Sequence, residues 1–187
     1  MLVEVDDTDQ ALSLAEHLRA GRVAADEVVP GARTVLLDGI GDRAAVEALL
    51  AGWTPGAPTA EGPAVELPTT YDGADLDAVA EVWGTDRAGV LARHQETTFV
   101  AAFCGFSPGF AYLRGMSPGL AVPRRDTPRT SVPAGSVALA GEWCAVYPTA
   151  SPGGWQLLGH TDVGLWDVTR ADPALLVPGT RVRFVSR

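Results

Sequence analysis

Apolar residues along this chain follow two different rhythms, and the change between them divides it. From Asp9 to Ala20, the apolar residues Ala11, Leu12, Leu14, Ala15 and Leu18 recur at three-to-four spacing, which predicts one buried helix face, and Gly21 follows as a stop. Leu2 to Val5 and Thr34 to Leu37 read as short strands, and Asp42 is placed to cap a second helix that runs to about Ala51. Val65 to Leu67 reads as a strand returning to that sheet. Strands alternating with helices predict a small α+β unit. A boundary falls near Trp53 to Pro68, where the stretch GWTPGAPTAEGP is rich in Gly, Pro and small residues, giving one unit over residues 1–63 and a second over 64–187.

In the second unit, Asp75 to Trp83 and Asp86 to His94 read as two short helices joined by Gly84-Thr85, with Thr85 as the N-cap. A tandem pair of helices invites a DNA-binding reading. Here, however, Arg87 and Arg93 are set against Asp75, Asp77, Glu81 and Asp86, so a packed αα-hairpin is the better expectation. Thr97 to Phe103, Val137 to Ala140, Cys144 to Tyr147, Trp155 to Leu158 and Arg181 to Val185 follow as strand-like runs between turns, and they predict a barrel or sandwich.

Composition narrows the function classes. The chain has 187 residues, 47% of them hydrophobic and 20% charged, enough to bury a core without metal or disulfides. Its net charge of -9 argues against nucleic acid as a partner, because neutralising phosphates needs a basic surface. No cationic leader and no long apolar run is seen, so neither export nor a membrane span is expected and a cytoplasmic location is. Cys104 and Cys144 sit in apolar contexts and read as buried thiols rather than a disulfide. Three scattered histidines and two thiols give no metal-ligand spacing, so no metal site is expected.

Ser-Pro-Gly occurs three times, led by Ser107, Ser117 and Ser151, and each copy reads as a shaped turn. The first two copies also satisfy G-x-S-x-G, the nucleophile elbow. That chemistry needs a backbone N–H from the residue after the serine, and Pro108 and Pro118 have none to give. An anion site is the alternative. Ser151, Gly153, Gly154 and Trp155 offer a hydroxyl, amides and an aromatic wall, while Arg124, Arg125 and Arg129 offer guanidinium forks, unless these pair with acids such as Asp126. His94 and His160 could serve as acid or base, although His94 ends a helix and could simply complement its dipole.

Four ordered stretches carry a family resemblance: Gly105 to Leu113 (GFSPGFAYL), Pro123 to Arg129 (PRRDTPR), Val132 to Ala140 (VPAGSVALA) and Tyr147 to Gly159 (YPTASPGGWQLLG). With the upstream segment Glu66 to His94, they resemble the 5-oxoprolinase B subunit family, also called KipI-like kinase inhibitor or allophanate hydrolase subunit 1. The resemblance implies a ferredoxin-like α+β N-terminal domain, here abbreviated, followed by a mainly-β cyclophilin-like barrel from about Leu67. It implies an ATP-dependent hydrolase that opens the lactam of 5-oxoproline to glutamate. ATP, with Mg, would be a co-substrate and no cofactor would be tightly bound. The implied partners are a larger carboxyltransferase-like (KipA-like) subunit and an amidohydrolase-like subunit. Two other functions share the family: a binding module that inhibits a sensor histidine kinase, docking through groups such as Phe110, Tyr112 and Trp155, and an allophanate hydrolase subunit of urea breakdown.

On the oxoprolinase reading, His94, Arg124 and Arg129 are the expected catalytic residues. Ser107, Ser136, Tyr147, Ser151, Gly153, Gly154, Trp155 and His160 are expected to bind substrate or anion. The chain departs from the family at Gln95, where Ser or Thr usually follows the histidine, and at His160, where arginine is usual. Trp155→Ala and Arg129→Ala are expected to lower activity with the fold intact.

Overall fold

Gly and Pro, rather than long apolar periods, decide where this chain turns, and the strands between them are short. The computed structural model describes residues 1–56 and 62–187. In the first stretch, β1 (Leu2–Glu4), α1 (Thr8–Ala20), β2 (Glu27–Pro30), β3 (Thr34–Asp38) and α2 (Arg43–Ala51) follow one another, and the strands form a three-stranded antiparallel sheet in the order β1-β3-β2. Asp7 and Asp42 cap the helices by accepting backbone N–H groups of the first turns. The predicted apolar face of α1 is buried, and Ala11, Leu14, Ala15 and Leu18 pack on Val35, Leu37 and Val46.

The second stretch holds β4 (Ala64–Thr69), α3 (Leu76–Val82), α4 (Arg87–Glu96), β5 (Phe99–Cys104), β6 (Ala111–Arg114), β7 (Arg129–Val132), β8 (Ser136–Ala140), β9 (Trp143–Val146), β10 (Ser151–Gly153), β11 (Gln156–His160) and β12 (Arg181–Ser186). Seven strands form one sheet in the order β11-β8-β9-β6-β5-β12-β4. Its ends meet: just past β4, Thr70 exchanges two backbone hydrogen bonds of 2.9 Å with His160 of β11. Gly73 and Asp75 then donate their N–H groups to the carbonyls of Leu158 and Leu157 at 3.0 and 3.1 Å. The sheet is therefore closed into a barrel at this seam, with β7 and β10 paired as a separate ribbon. No helix among the described residues is long and apolar enough to cross a membrane.

Apolar residues leave the barrel wall in both directions. Val137 and Leu139 of β8 point to an inner core with Phe99, Leu113, Val146, Leu158 and Phe184, which α3 and α4 cover through Leu76, Val79 and Val90. Ala138 and Ala140 of the same strand join an outer cluster with Phe110, Val132, Tyr147 and Trp155. A strand covered on both faces needs no polar alternation, which accounts for the continuous apolar run of β8.

Several expectations are corrected. Val65 to Leu67 does not return to the first sheet; it lies in β4, parallel to β12. Asp86, not Thr85, caps α4, because its carboxylate accepts the Gly89 N–H at 2.8 Å. The third Ser-Pro-Gly is the edge strand β10 rather than a turn. Ser151 and Gly153 pair with β7, and a two-stranded ribbon tolerates Pro152 on its edge. Cys104 is exposed, although its thiol lies 3.4 Å from the Leu176 carbonyl. Part of the predicted boundary, residues 57–61, lies outside the described residues.

Candidate functional site

The outer wall of β6 and β9 carries aromatic rings because alternate positions point away from the barrel interior. Phe110 stands nearly perpendicular to Tyr147 and Trp155, with centroids 5.5 and 5.7 Å away, and Tyr112 lies 5.7 Å from Trp155. Such edge-to-face contacts hold the rings in fixed orientations. The β7–β10 ribbon and the 123–128 loop stand over this floor and leave a cavity of about 250 Å³. Phe106, Phe110, Tyr112, Tyr147 and Trp155 wall it, Gly153 and Gly154 line it from the ribbon, and Arg124 is the only charged lining residue among the described residues.

Glycine at position 153 is required by close approach, since a Cβ there would stand 2.3 Å from the Tyr147 hydroxyl oxygen. Burial raises the Tyr147 phenol above its ordinary value, opposed in part by the neighbouring Trp155 backbone and by the charges of Arg124 and Arg129. A more open cavity of about 520 Å³ lies between α3 and residues 122–127 and shares Arg124 with the first.

The three arginines divide between two tasks. Asp75, 4% exposed at the start of α3, accepts two bonds of 2.8 Å from Arg129 and one of 2.9 Å from Arg125. It also accepts the Leu157 backbone N–H at 2.7 Å. Burial on its own would raise the Asp75 carboxyl, but the Arg129 bond, the Leu157 amide and the two guanidinium charges outweigh it and hold the group below the usual carboxylate value. Arg125 and Arg129 thus tie the 123–129 loop to the barrel seam. Arg124, which lines the cavity, has no ion pair among the described residues.

Other predicted site residues lie elsewhere. His94 is 0% exposed in the inner core, packed on Phe99 and Phe184, with Nδ1 2.8 Å from the Tyr71 hydroxyl and Nε2 3.5 Å from Cys144 Sγ. Burial pushes its pKa down to about 3, so the ring is neutral and sealed away from the cavity. His160 sits on the seam, its Nδ1 3.0 Å from Asp72. Ser136 is buried in β8, while the hydroxyls of Ser107 and Ser151 are buried with no hydrogen-bond partner among the described residues. The cavity therefore gathers Arg124, Tyr147, Gly153, Gly154 and Trp155 of the predicted set, and neither Arg129 nor either histidine lines it. Asp75 and Phe106 are the two residues that the sequence does not single out. A carboxylate just ahead of a helical apolar pattern reads as an ordinary cap, so nothing local marks Asp75 as the partner of two arginines some fifty positions downstream.

A closed, mainly-β barrel with helices over its inner core and a ligand-sized cavity on its outer wall is the class of domain that this geometry defines. Residues 2–176 match the model of the carboxyltransferase domain, subdomain C and D, and the chain belongs to that family. It is 43% identical over 124 residues to the 5-oxoprolinase B subunit of Escherichia coli O157:H7, covering 65% of this chain and 57% of that one. To the 5-oxoprolinase B subunit of Haemophilus influenzae it is 42% identical over 128 residues, 67% of this chain and 60% of that one. The matched region thus spans under two thirds of the length of these relatives. Among solved structures, TTHA0988 superposes with a TM-score of 0.79 at 34% identity, over 100% of this chain and 39% of that one.

Proposed function

We propose that this chain is a subunit of an ATP-dependent 5-oxoprolinase and that the outer-wall cavity is its contribution to the site. One observation carries the reading: the four stretches that bear the resemblance to the 5-oxoprolinase B subunit converge on this cavity. Phe106, Phe110 and Tyr112 come from the first stretch, Arg124 and Pro128 from the second, and Tyr147, Gly153, Gly154 and Trp155 from the fourth. The third supplies Ala138 and Ala140 beneath the rings.

An unactivated lactam resists water, and phosphorylation of its carbonyl oxygen by ATP makes it an electrophile that water can open to glutamate. In this reading a larger carboxyltransferase-like subunit and an amidohydrolase-like subunit complete the reaction, and Mg arrives with ATP. Among the described residues there is no group of three or more His, Cys, Asp or Glu placed to hold a metal. The role of this chain is to hold and orient substrate: Arg124 supplies positive charge, Tyr147 a hydroxyl, and the rings exclude water.

For the organisation of the chain, we read residues 1–63 as an abbreviated ferredoxin-like unit and 64–187 as a cyclophilin-like barrel. Separate sheets with separate cores support the division, as does the pairing of β4 with β12. The functional reading is tested by mixing the chain with the two other subunits and following 5-oxoproline-dependent ATP hydrolysis and glutamate release, omitting each component in turn. Loss of turnover on omitting this chain is expected; full turnover without it would falsify the reading.

A further inference from the structure

We propose that Phe106 is a gate on the outer-wall cavity: a positioning residue whose ring closes over an occupant as the strained turn beneath it relaxes about Gly105. For its substrate the proposal rests on the oxoprolinase reading, whereas the strain and the motion rest on the geometry alone.

Residues 105–110 join β5 to β6, and Cys104 pairs with Ala111 at the base of this turn. Among the described residues, two other than glycine have positive φ: Arg22 at 50° and Phe106 at 67°. Arg22 follows the end of helix α1, where left-handed backbone is ordinary. No helix end accounts for Phe106. The Ser107 N–H donates to the Gly105 carbonyl at 2.8 Å, which makes Phe106 the centre of a γ-turn of the positive-φ kind, a rare and strained form for any residue with a side chain.

Gly105, one residue earlier, is not among the glycines with positive φ, and a Cβ on it would meet only the Tyr112 ring, at 3.9 Å. The chain thus carries glycine where neither backbone nor packing demands it, and phenylalanine where the backbone favours glycine. Freedom at position 105 is what a pivot needs. The Ser107 hydroxyl, buried with no hydrogen-bond partner among the described residues, fits a turn that has a second arrangement.

Phe110, Tyr147 and Trp155 are buried in the cavity floor, whereas Phe106 is 62% exposed and lines the same cavity from its rim. Its ring meets the floor at steep angles, with centroids 5.2 Å from Phe110 and 6.4 Å from Tyr147. A ring at the rim can fold inward with few contacts to break, and it gains a face against whatever fills the cavity. That difference in contact is what lets an occupant shift the turn from one arrangement to the other.

The test joins motion, stability and turnover. Relaxation dispersion on the full chain is expected to show microsecond-to-millisecond exchange at the Phe106 and Ser107 amides. Gly105→Ala, which has room for its methyl, is expected to slow that exchange at least about threefold with the fold unchanged. In denaturant unfolding, Phe106→Gly is expected to have a higher midpoint than Phe106→Ala, the reverse of the usual order for these two residues. In the reconstituted complex, Phe106→Ala is expected to raise the KM for 5-oxoproline about fivefold, the equivalent of one aromatic contact, with kcat within about twofold, and Phe106→Tyr is expected to restore KM.

Absence of exchange at these amides overturns the proposal, as does exchange that Gly105→Ala leaves unchanged or a Phe106→Ala variant more stable than Phe106→Gly. Wild-type KM in a natively folded Phe106→Ala overturns it too. A wild-type complex without 5-oxoproline turnover counts against the oxoprolinase reading instead, and exchange and stability then decide the gate.

Discussion

His94 and Arg124 illustrate how burial alone assigns opposite tasks to two polar residues that look equally functional in a sequence. His94 stays neutral in the inner core down to about pH 3, while its ordinary value is 6.5. The unfolded chain therefore takes up a proton near pH 6.5 that the folded chain refuses until about pH 3. Stability is expected to fall as pH drops through that window, by up to ~1.4 kcal/mol per pH unit from this one group. Denaturant unfolding at several pH values should show this slope, and His94→Phe should flatten it; an equal slope in the variant would show that His94 is not its source. Gly153→Ala places a methyl against the Tyr147 hydroxyl and should cost about 1–3 kcal/mol by the same measurement, with the ribbon forced off the aromatic floor.

At the scale of elements, the loop from Pro123 to Pro128 is held by one carboxylate. Asp75→Ala leaves Arg125 and Arg129 facing each other without their counter-charge and frees the Leu157 amide. A loss of about 3 kcal/mol is expected in thermal or denaturant unfolding, tempered by the partial exposure of Arg125. Arg129→Ala should be destabilising for the same reason, and Trp155→Ala should cost about 3–5 kcal/mol because it empties the outer cluster. Both changes are therefore expected to act on the fold as well as on the site, where the sequence suggests an effect on activity alone. The helices were legible in the sequence, since α1, α2, α3 and α4 each have a clear apolar face or an acidic cap. By contrast, β2, β6, β7 and β10 are of three or four residues and were not, because pairing partners far along the chain, not local pattern, make them strands.

For the whole molecule, what organises the site is barrel closure. Thr70 and His160 join across a long sequence separation, and Asp75 lies a few residues past that seam, so the seam sets where the arginine loop is anchored. Backbone packing at the seam is tight: a Cβ on Gly159 would stand 2.0 Å from the Thr70 carbonyl oxygen, and one on Gly73 would stand 2.2 Å from that of Leu157. Gly159→Val should therefore lower the melting temperature and deprotect the Thr70 and Gly73 amides in hydrogen exchange together; unchanged protection would show that the barrel does not depend on this closure. The motif residues of the cavity could be picked out from sequence because Gly, Pro and aromatic residues cluster there. Which arginine faces the cavity could not, since adjacent residues on extended backbone face opposite ways and the deciding partner, Asp75, lies far upstream.

The most direct test of the central claim is steady-state 5-oxoproline-dependent ATP hydrolysis by the reconstituted complex, carrying wild-type chain, Arg124→Gln or His94→Phe. The outer-wall site predicts that Arg124→Gln lowers kcat/KM at least about tenfold, mainly through KM, while folded His94→Phe stays within about twofold of wild type. Wild-type kinetics in Arg124→Gln would contradict the account and move the substrate site off this chain's outer wall.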